Sequence, residues 1–187
     1  MTIGVLAFQG DVIEHLQALK ALDVEALEVR SVAELEQVDG LIIPGGESTV
    51  ISKFLSETGV GDRIIKKHQN EKLPIYGTCA GAILLAKEIK DAGDVQSLGL
   101  MDITVERNAY GSQTESFEAD IELEGKSVHG IFIRAPKIIS TGNSVTILAS
   151  YEGSPVVCEE GKLLISTFHP ELSDKPSALH RRFLEIL

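Results

Sequence analysis

Tryptophan is absent from this 187-residue chain, and aromatic side chains make up only 5% of it. A core with so few large rings must be mostly aliphatic, as in a sheet buried between helices. Cysteine is scarce as well: Cys79 and Cys158 are the only two. Two thiols make no disulfide framework, and they fit a reducing compartment. No apolar run approaches the ~20 residues of a membrane span. Residues 3–8 are apolar, but they are too short for a secretory leader and lack a basic lead-in. Basic residues are outnumbered 17 to 28, which leaves a net charge of −11. Such a surface repels phosphate backbones and anionic lipid, which argues against nucleic-acid and membrane partners. The local basic pairs Lys66–Lys67 and Arg181–Arg182 read as solvated helix faces. The expected location is cytoplasmic.

What is present is an ordinary globular balance, 43% hydrophobic and 24% charged, enough for one medium-sized domain or at most two small ones. The first half alternates strand and helix signals. Strands are expected at 3–8, 25–30, 40–43 and 74–77. Helices are expected at 11–22 with Asp11 as N-cap, at 48–58 with Ser48 or Thr49 near the cap, at 61–70 and at about 80–89. The second half is richer in strands, at 102–106, 116–123, 128–133, 145–151, 155–159 and 163–168, before a closing helix at about 177–187. Alternating β and α elements imply a parallel sheet covered on both faces. No linker, repeat or low-complexity stretch interrupts the chain, so residues 1–187 read as a single domain.

The sharpest local signal is Gly77-Thr78-Cys79-Ala80-Gly81, between a short buried strand and a helix. It has the G-x-nucleophile-x-G form of a nucleophile elbow. The glycines allow a tight turn where neighbouring Cβ atoms would collide, and the helix start favours a thiolate. The competing reading is a small buried cysteine between packing glycines. Cys158, inside the apolar run Val156-Val157-Cys158, reads as structural.

A thiol with a pKa near ~8.5 needs a base at neutral pH. His15 and His68 lie in helical patterns and read as surface residues. His180 falls in the last helix and His129 at the start of a strand. His169 stands apart in Phe168-His169-Pro170-Glu171, at the end of a buried run. In an extended segment Glu171 projects to the same side and can orient the imidazole. A third element, Pro44-Gly45-Gly46-Glu47-Ser48, follows another buried strand. Its glycines can turn an N–H inward, and with the N–H of Ala80 build an oxyanion hole. No G-K-[ST] follows, which disfavours a phosphate loop. Arg107 and Arg134 are isolated arginines, each suited to a substrate carboxylate or to a structural ion pair.

Together these segments resemble the class I (triad) glutamine amidotransferases, and within them the glutaminase-subunit family of pyridoxal 5′-phosphate synthase. The resemblance rests on Gln9-Gly10 with Glu14-His15, Pro44-Gly45-Gly46-Glu47-Ser48-Thr49, Gly77-Thr78-Cys79-Ala80-Gly81, Glu106-Arg107-Asn108, Ser116-Phe117-Glu118, Phe132-Ile133-Arg134-Ala135-Pro136 and Phe168-His169-Pro170-Glu171-Leu172. It implies a three-layer α/β/α, flavodoxin-like fold with a mixed, mostly parallel central sheet. It implies a Cys79–His169–Glu171 triad, an oxyanion hole at Gly46 and Ala80, and glutamine contacts from Gly46, Glu47, Ser48, Arg107, Ile133 and Arg134. It implies no metal or organic cofactor. The partner it implies is a PdxS-type synthase subunit, in a large hetero-oligomeric complex, that receives ammonia through an internal channel. Gln9 is the implied element of partner activation. Asp11, Ala82 and Ser112 depart from residues common in that family.

Three rival readings remain open at the level of sequence. They are a glutaminase serving another ammonia acceptor, a cysteine peptidase or chaperone-like relative on a similar sheet, and a non-catalytic regulatory subunit.

Overall fold

Short aliphatic runs in this chain are separated by amphipathic segments, and most of these runs become strands of one large sheet. The computed structural model describes residues 1–107, 116–173 and 178–187; Asn108 and Ser112 lie outside them. The first half runs β1 (Thr2–Leu6), α1 (Val12–Lys20), β2 (Glu25–Val29), α2 (Val32–Leu35), β3 (Gly40–Ile43), α3 (Ser48–Glu57), α4 (Val60–Glu71), β4 (Ile75–Thr78) and α5 (Ala80–Leu85). The rest runs β5 (Ala86–Lys90), β6 (Met101–Glu106), β7 (Phe117–Leu123), β8 (Lys126–Phe132), β9 (Lys137–Thr141), β10 (Thr146–Tyr151), β11 (Ser154–Glu160), β12 (Leu163–Ser166), a 3-10 turn at Pro170–Leu172 and α6 (Ala178–Glu185).

Seven strands form the main sheet in the order β10-β11-β12-β4-β3-β1-β2. The five from β2 to β12 pair in parallel, and β11 and β10 add on antiparallel. This is the mixed, mostly parallel sheet expected. Side chains alternate between its faces with the period of two that a pleated strand imposes. Leu41, Ile43, Ile75, Leu163 and Ile165 enter one core with α2, α3, α4 and α5. Ile42, Tyr76 and Leu164 enter another with α1 and α6. The aromatic residues concentrate in the second core, where Phe132 lies against Phe117, Tyr151 and Phe168.

Four expectations need correction. The helix from residue 80 ends at Leu85, and Ala86–Lys90 forms β5 against β6 instead. Lys87, Glu88 and Lys90 are good helix formers, but strand pairing overrides their propensity. Asp11 occupies the N-cap of α1, yet its side chain makes no capping bond. His15 is fully buried, not on the surface. Lys67 is buried too, its ammonium donating to Leu35 O at 2.8 Å, so that helix face is only partly solvated. The helix α2 and the strand β9 were not expected. Among the described residues, no helix is long and apolar enough to cross a membrane.

Candidate active site

Ligand sites in open α/β sheets lie beyond the carboxyl ends of the parallel strands, where neighbouring connections diverge. Here those ends carry the elbow, the glycine loop and the histidine singled out from the sequence. Gln9–Asp11 follows β1, Pro44–Ser48 follows β3, Cys79 follows β4 and His169 follows β12.

Cys79 adopts φ 46°, ψ −100°, a conformation that non-glycine residues rarely take. Its N–H is anchored on Ser166 O at 2.9 Å, and α5 starts at the next residue. The elbow is possible only because its flanks are glycine. A Cβ on Gly81 would lie 2.1 Å from Ile43 O, and one on Gly77 would lie 2.7 Å from the Gly81 backbone. The Cys79 thiol faces Ile133 O at 3.8 Å. Cys158 has no such setting; it is completely buried in β11, and burial pushes its thiol up to about 12. The two cysteines therefore differ in setting, one facing a cavity and one locked in the sheet.

That cavity measures about 290 Å³. It is lined by Gln9, Gly46, Glu47, Ser48, Cys79, Ala80, Arg107, Ile133, Arg134 and His169, which are the expected site residues except Glu171. Asp11 and Ile83 line it as well and were not expected there. Arg107 donates to Ala92 O at 3.0 Å and pairs with Glu47 at 3.4 Å, so it forms an ion pair while still lining the cavity. Arg134 has a positive φ of 45°. Gln9 Oε1 accepts the N–H of Glu47 and occupies the space a Cβ on Gly46 would need.

Glu171 sits behind His169, buried, with Oε1 2.9 Å from His169 Nδ1. The same nitrogen lies 3.0 Å from Asp11 Oδ2. Burial alone would lower the pKa of His169, but the contacts with Asp11, Cys79 and Glu171 outweigh it and raise the pKa. A cationic imidazole beside a thiol is what a thiolate–imidazolium pair requires. Glu171 has its carboxyl pushed up by desolvation and held back by His169.

Behind the carboxylate lies a polar network that sequence reasoning missed. His15 Nε2 is 3.2 Å from Thr78 Oγ1 and 3.5 Å from Glu171 Oε1, and His15 Nδ1 is 2.9 Å from His180 Nε2. Facing a carboxylate, Nε2 is the nitrogen that carries the proton, so His180 donates to Nδ1. Thr78 Oγ1 also accepts the N–H of Gly45 at 2.9 Å, tying the glycine loop to the elbow. The i, i+4 spacing of Asp11 and His15 at the start of α1 was the available signal, since such positions share one helix face.

A thiol on a strained turn, an imidazole backed by carboxylates and a glycine loop opposite have the form of a cysteine acyl-transfer site on an α/β sheet. The chain belongs to the SNO glutamine amidotransferase family, whose profile matches residues 5–187. Pyridoxal 5′-phosphate synthase subunit PdxT of Thermotoga neapolitana is 54% identical, with all of both chains covered. The PdxT of a Thermus thermophilus strain is 51% identical over 98% of this chain and 96% of its own. A crystal structure of a glutamine amidotransferase superposes with a TM-score of 0.93 at 51% identity, covering 98% of this chain and 97% of that one. The structure of PurLQS from Thermotoga maritima, 13% identical with a TM-score of 0.71 over 98% of this chain and 97% of that one, shares the fold.

Proposed function

We propose that this chain is a cytoplasmic, single-domain glutaminase subunit of pyridoxal 5′-phosphate synthase, hydrolysing glutamine to glutamate and ammonia for a synthase partner. The observation that carries the chemistry is the convergence of the strained Cys79 and of His169 on one small cavity. The partner is supported by the PdxT relatives at about half identity over the whole chain.

In this reading the Cys79 thiolate attacks the carboxamide carbon of glutamine. The N–H groups of Gly46 and Ala80 receive the oxyanion, each such donor lowering the barrier by about 3 kcal/mol. His169, held by Glu171, protonates the leaving ammonia and then activates water to release glutamate from the thioester. Glutamine is a zwitterion. Arg107 and Arg134 suit its α-carboxylate, and Glu47 its α-ammonium; Ser48 and Ile133 complete the contacts. Gln9 holds the N–H of Glu47 and so restrains the glycine loop. Partner docking acts through this contact, freeing the loop to present the Gly46 N–H.

The test is glutamate release from glutamine by wild type and Cys79→Ala, with and without the synthase subunit. Wild type is expected to be stimulated by the synthase, and the variant to lose at least about 10³-fold in kcat. Unchanged turnover in the variant complex would leave the nucleophile assignment untenable. Activation only by a different ammonia acceptor would overturn the partner.

A further inference from the structure

Asp11 departs from its expected duty. It stands at the N-cap of α1, where a carboxylate ordinarily accepts a backbone N–H of the first turn. Its side chain makes no such bond. Instead Oδ2 reaches His169 Nδ1 at 3.0 Å, while Glu171 Oε1 reaches the same nitrogen at 2.9 Å. One N–H is shared by two carboxylates that arrive from opposite ends of the chain. The space for this is provided by Gly45, where a Cβ would lie 2.2 Å from His169 Cε1 and 3.2 Å from Asp11 Oδ2.

The two carboxylates are not equivalent. Glu171 has a fully buried side chain and lies within the 3-10 turn, whereas the Asp11 side chain is 30% exposed and lines the cavity. Asp11 also lies close to Gln9 on the β1–α1 turn, and the backbone N–H of Asp11 donates to Gly45 O at 3.2 Å. The turn that touches the glycine loop therefore also touches the imidazole.

We propose that Asp11 is a second positioning carboxylate for His169, sharing with Glu171 the role of orienting the ring and keeping a proton on Nδ1. This rests on the glutaminase reading of the same cavity. Each carboxylate covers for the loss of the other, because either alone accepts the Nδ1–H. The titratable groups facing His169 are Asp11 from the turn before α1, His15 from α1, Cys79 from the elbow and Glu171 from the 3-10 turn.

The test is a double-mutant cycle with Asp11→Asn, Glu171→Gln and both together, assayed as glutaminase in complex with the synthase subunit. Asp11→Asn alone is expected to lower kcat about threefold with KM unchanged. In the Glu171→Gln background it is expected to cost about a hundredfold, because no carboxylate then faces Nδ1 and the remaining amide oxygens are weaker, uncharged acceptors. The same factor in both backgrounds, or none in either, would overturn the proposal. A partner-independent reading comes from NMR titration of His169 in the isolated subunit. Removing one carboxylate lowers the pKa of the imidazolium, so the His169 midpoint of Asp11→Asn must move to lower pH. An unmoved midpoint also overturns the proposal. Absence of glutamine turnover in wild type would instead sink the glutaminase reading, and the titration would still be readable.

Discussion

Gly81 shows how much of this site is decided by single atoms. A methyl group there would lie 2.1 Å from Ile43 O, and no rotamer can relieve a clash between two backbones. Gly81→Ala must therefore push α5 away from β3, and with it the elbow that carries Cys79. Overpacking of this kind costs about 1–3 kcal/mol and sometimes more. The variant is expected to melt measurably lower and to lose glutaminase activity even where it remains folded. An unchanged melting temperature would mean that the elbow tolerates a Cβ, contrary to the packing. The purpose of the glycines could be read from the pentapeptide alone, because a tight turn between strand and helix has few solutions. The duty of Asp11 could not. Its local context offered a capping site, and only the fold brings His169, from the far end of the chain, within reach.

Helix α1 illustrates the same division among elements. Its existence followed from apolar spacing, but the burial of His15 did not, because periodicity does not say that a polar residue has found polar partners. His15 meets Thr78 and Glu171 on one side and His180 on the other, all enclosed. Burial lowers the pKa of both histidines, and that of His180 falls to about 4. The folded state then binds fewer protons than the unfolded chain below its ordinary pKa of ~6.5. Stability contributed by the neutral pair is complete above that value and is lost as pH falls toward 4. His180 alone accounts for about 3 kcal/mol across the interval at ~1.4 kcal/mol per unit. His169 has the opposite shift, and its stabilisation is fully present below the unfolded value, so it adds nothing further as pH falls from there. The Glu171 carboxyl, raised by burial, opposes this trend, so the histidine contribution is read by comparison with His180→Asn. Urea midpoints should fall more steeply from pH 6 to pH 5 in wild type than in the variant, and parallel profiles would refute the depressed His180 imidazole. By contrast α2 was legible and overlooked. Ser31 accepts the N–H of Glu34 while Glu34 accepts the N–H of Arg30 and the Ser31 hydroxyl, so Ser31-Val32-Ala33-Glu34 carries the S-x-x-E start signal. Strand β5 was not legible, since Lys87, Glu88 and Lys90 favour helix and only pairing with β6 makes them extended.

For the molecule as a whole, the main sheet separates what is rigid from what can respond. Strand β4 lies between β3 and β12, with both faces covered by core. The N–H of Cys79 continues that ladder onto Ser166. Cys79 is thus fixed to the most enclosed part of the fold. The segments that close the cavity differ: Gln9–Asp11 is a turn, and Ile133–Arg134 follows a two-stranded ribbon of β7 and β8 outside the main sheet. Local opening is easiest where few hydrogen bonds and little burial must be given up. Amide hydrogen exchange under native conditions should therefore be slowest in β1, β3, β4 and β12. It should be faster by orders of magnitude in β7 and β8, whose alternate residues Glu118, Asp120 and Glu122 face solvent. Binding of the synthase subunit is expected to act on the cavity-closing segments, so protection should rise at Gln9–Asp11 and leave β4 unchanged. Equal protection across both groups in the free chain, or a gain confined to β4, would refute this division. In that event the conditional step would have to lie in the elbow itself, and the strained Cys79 would be the moving part rather than the fixed one.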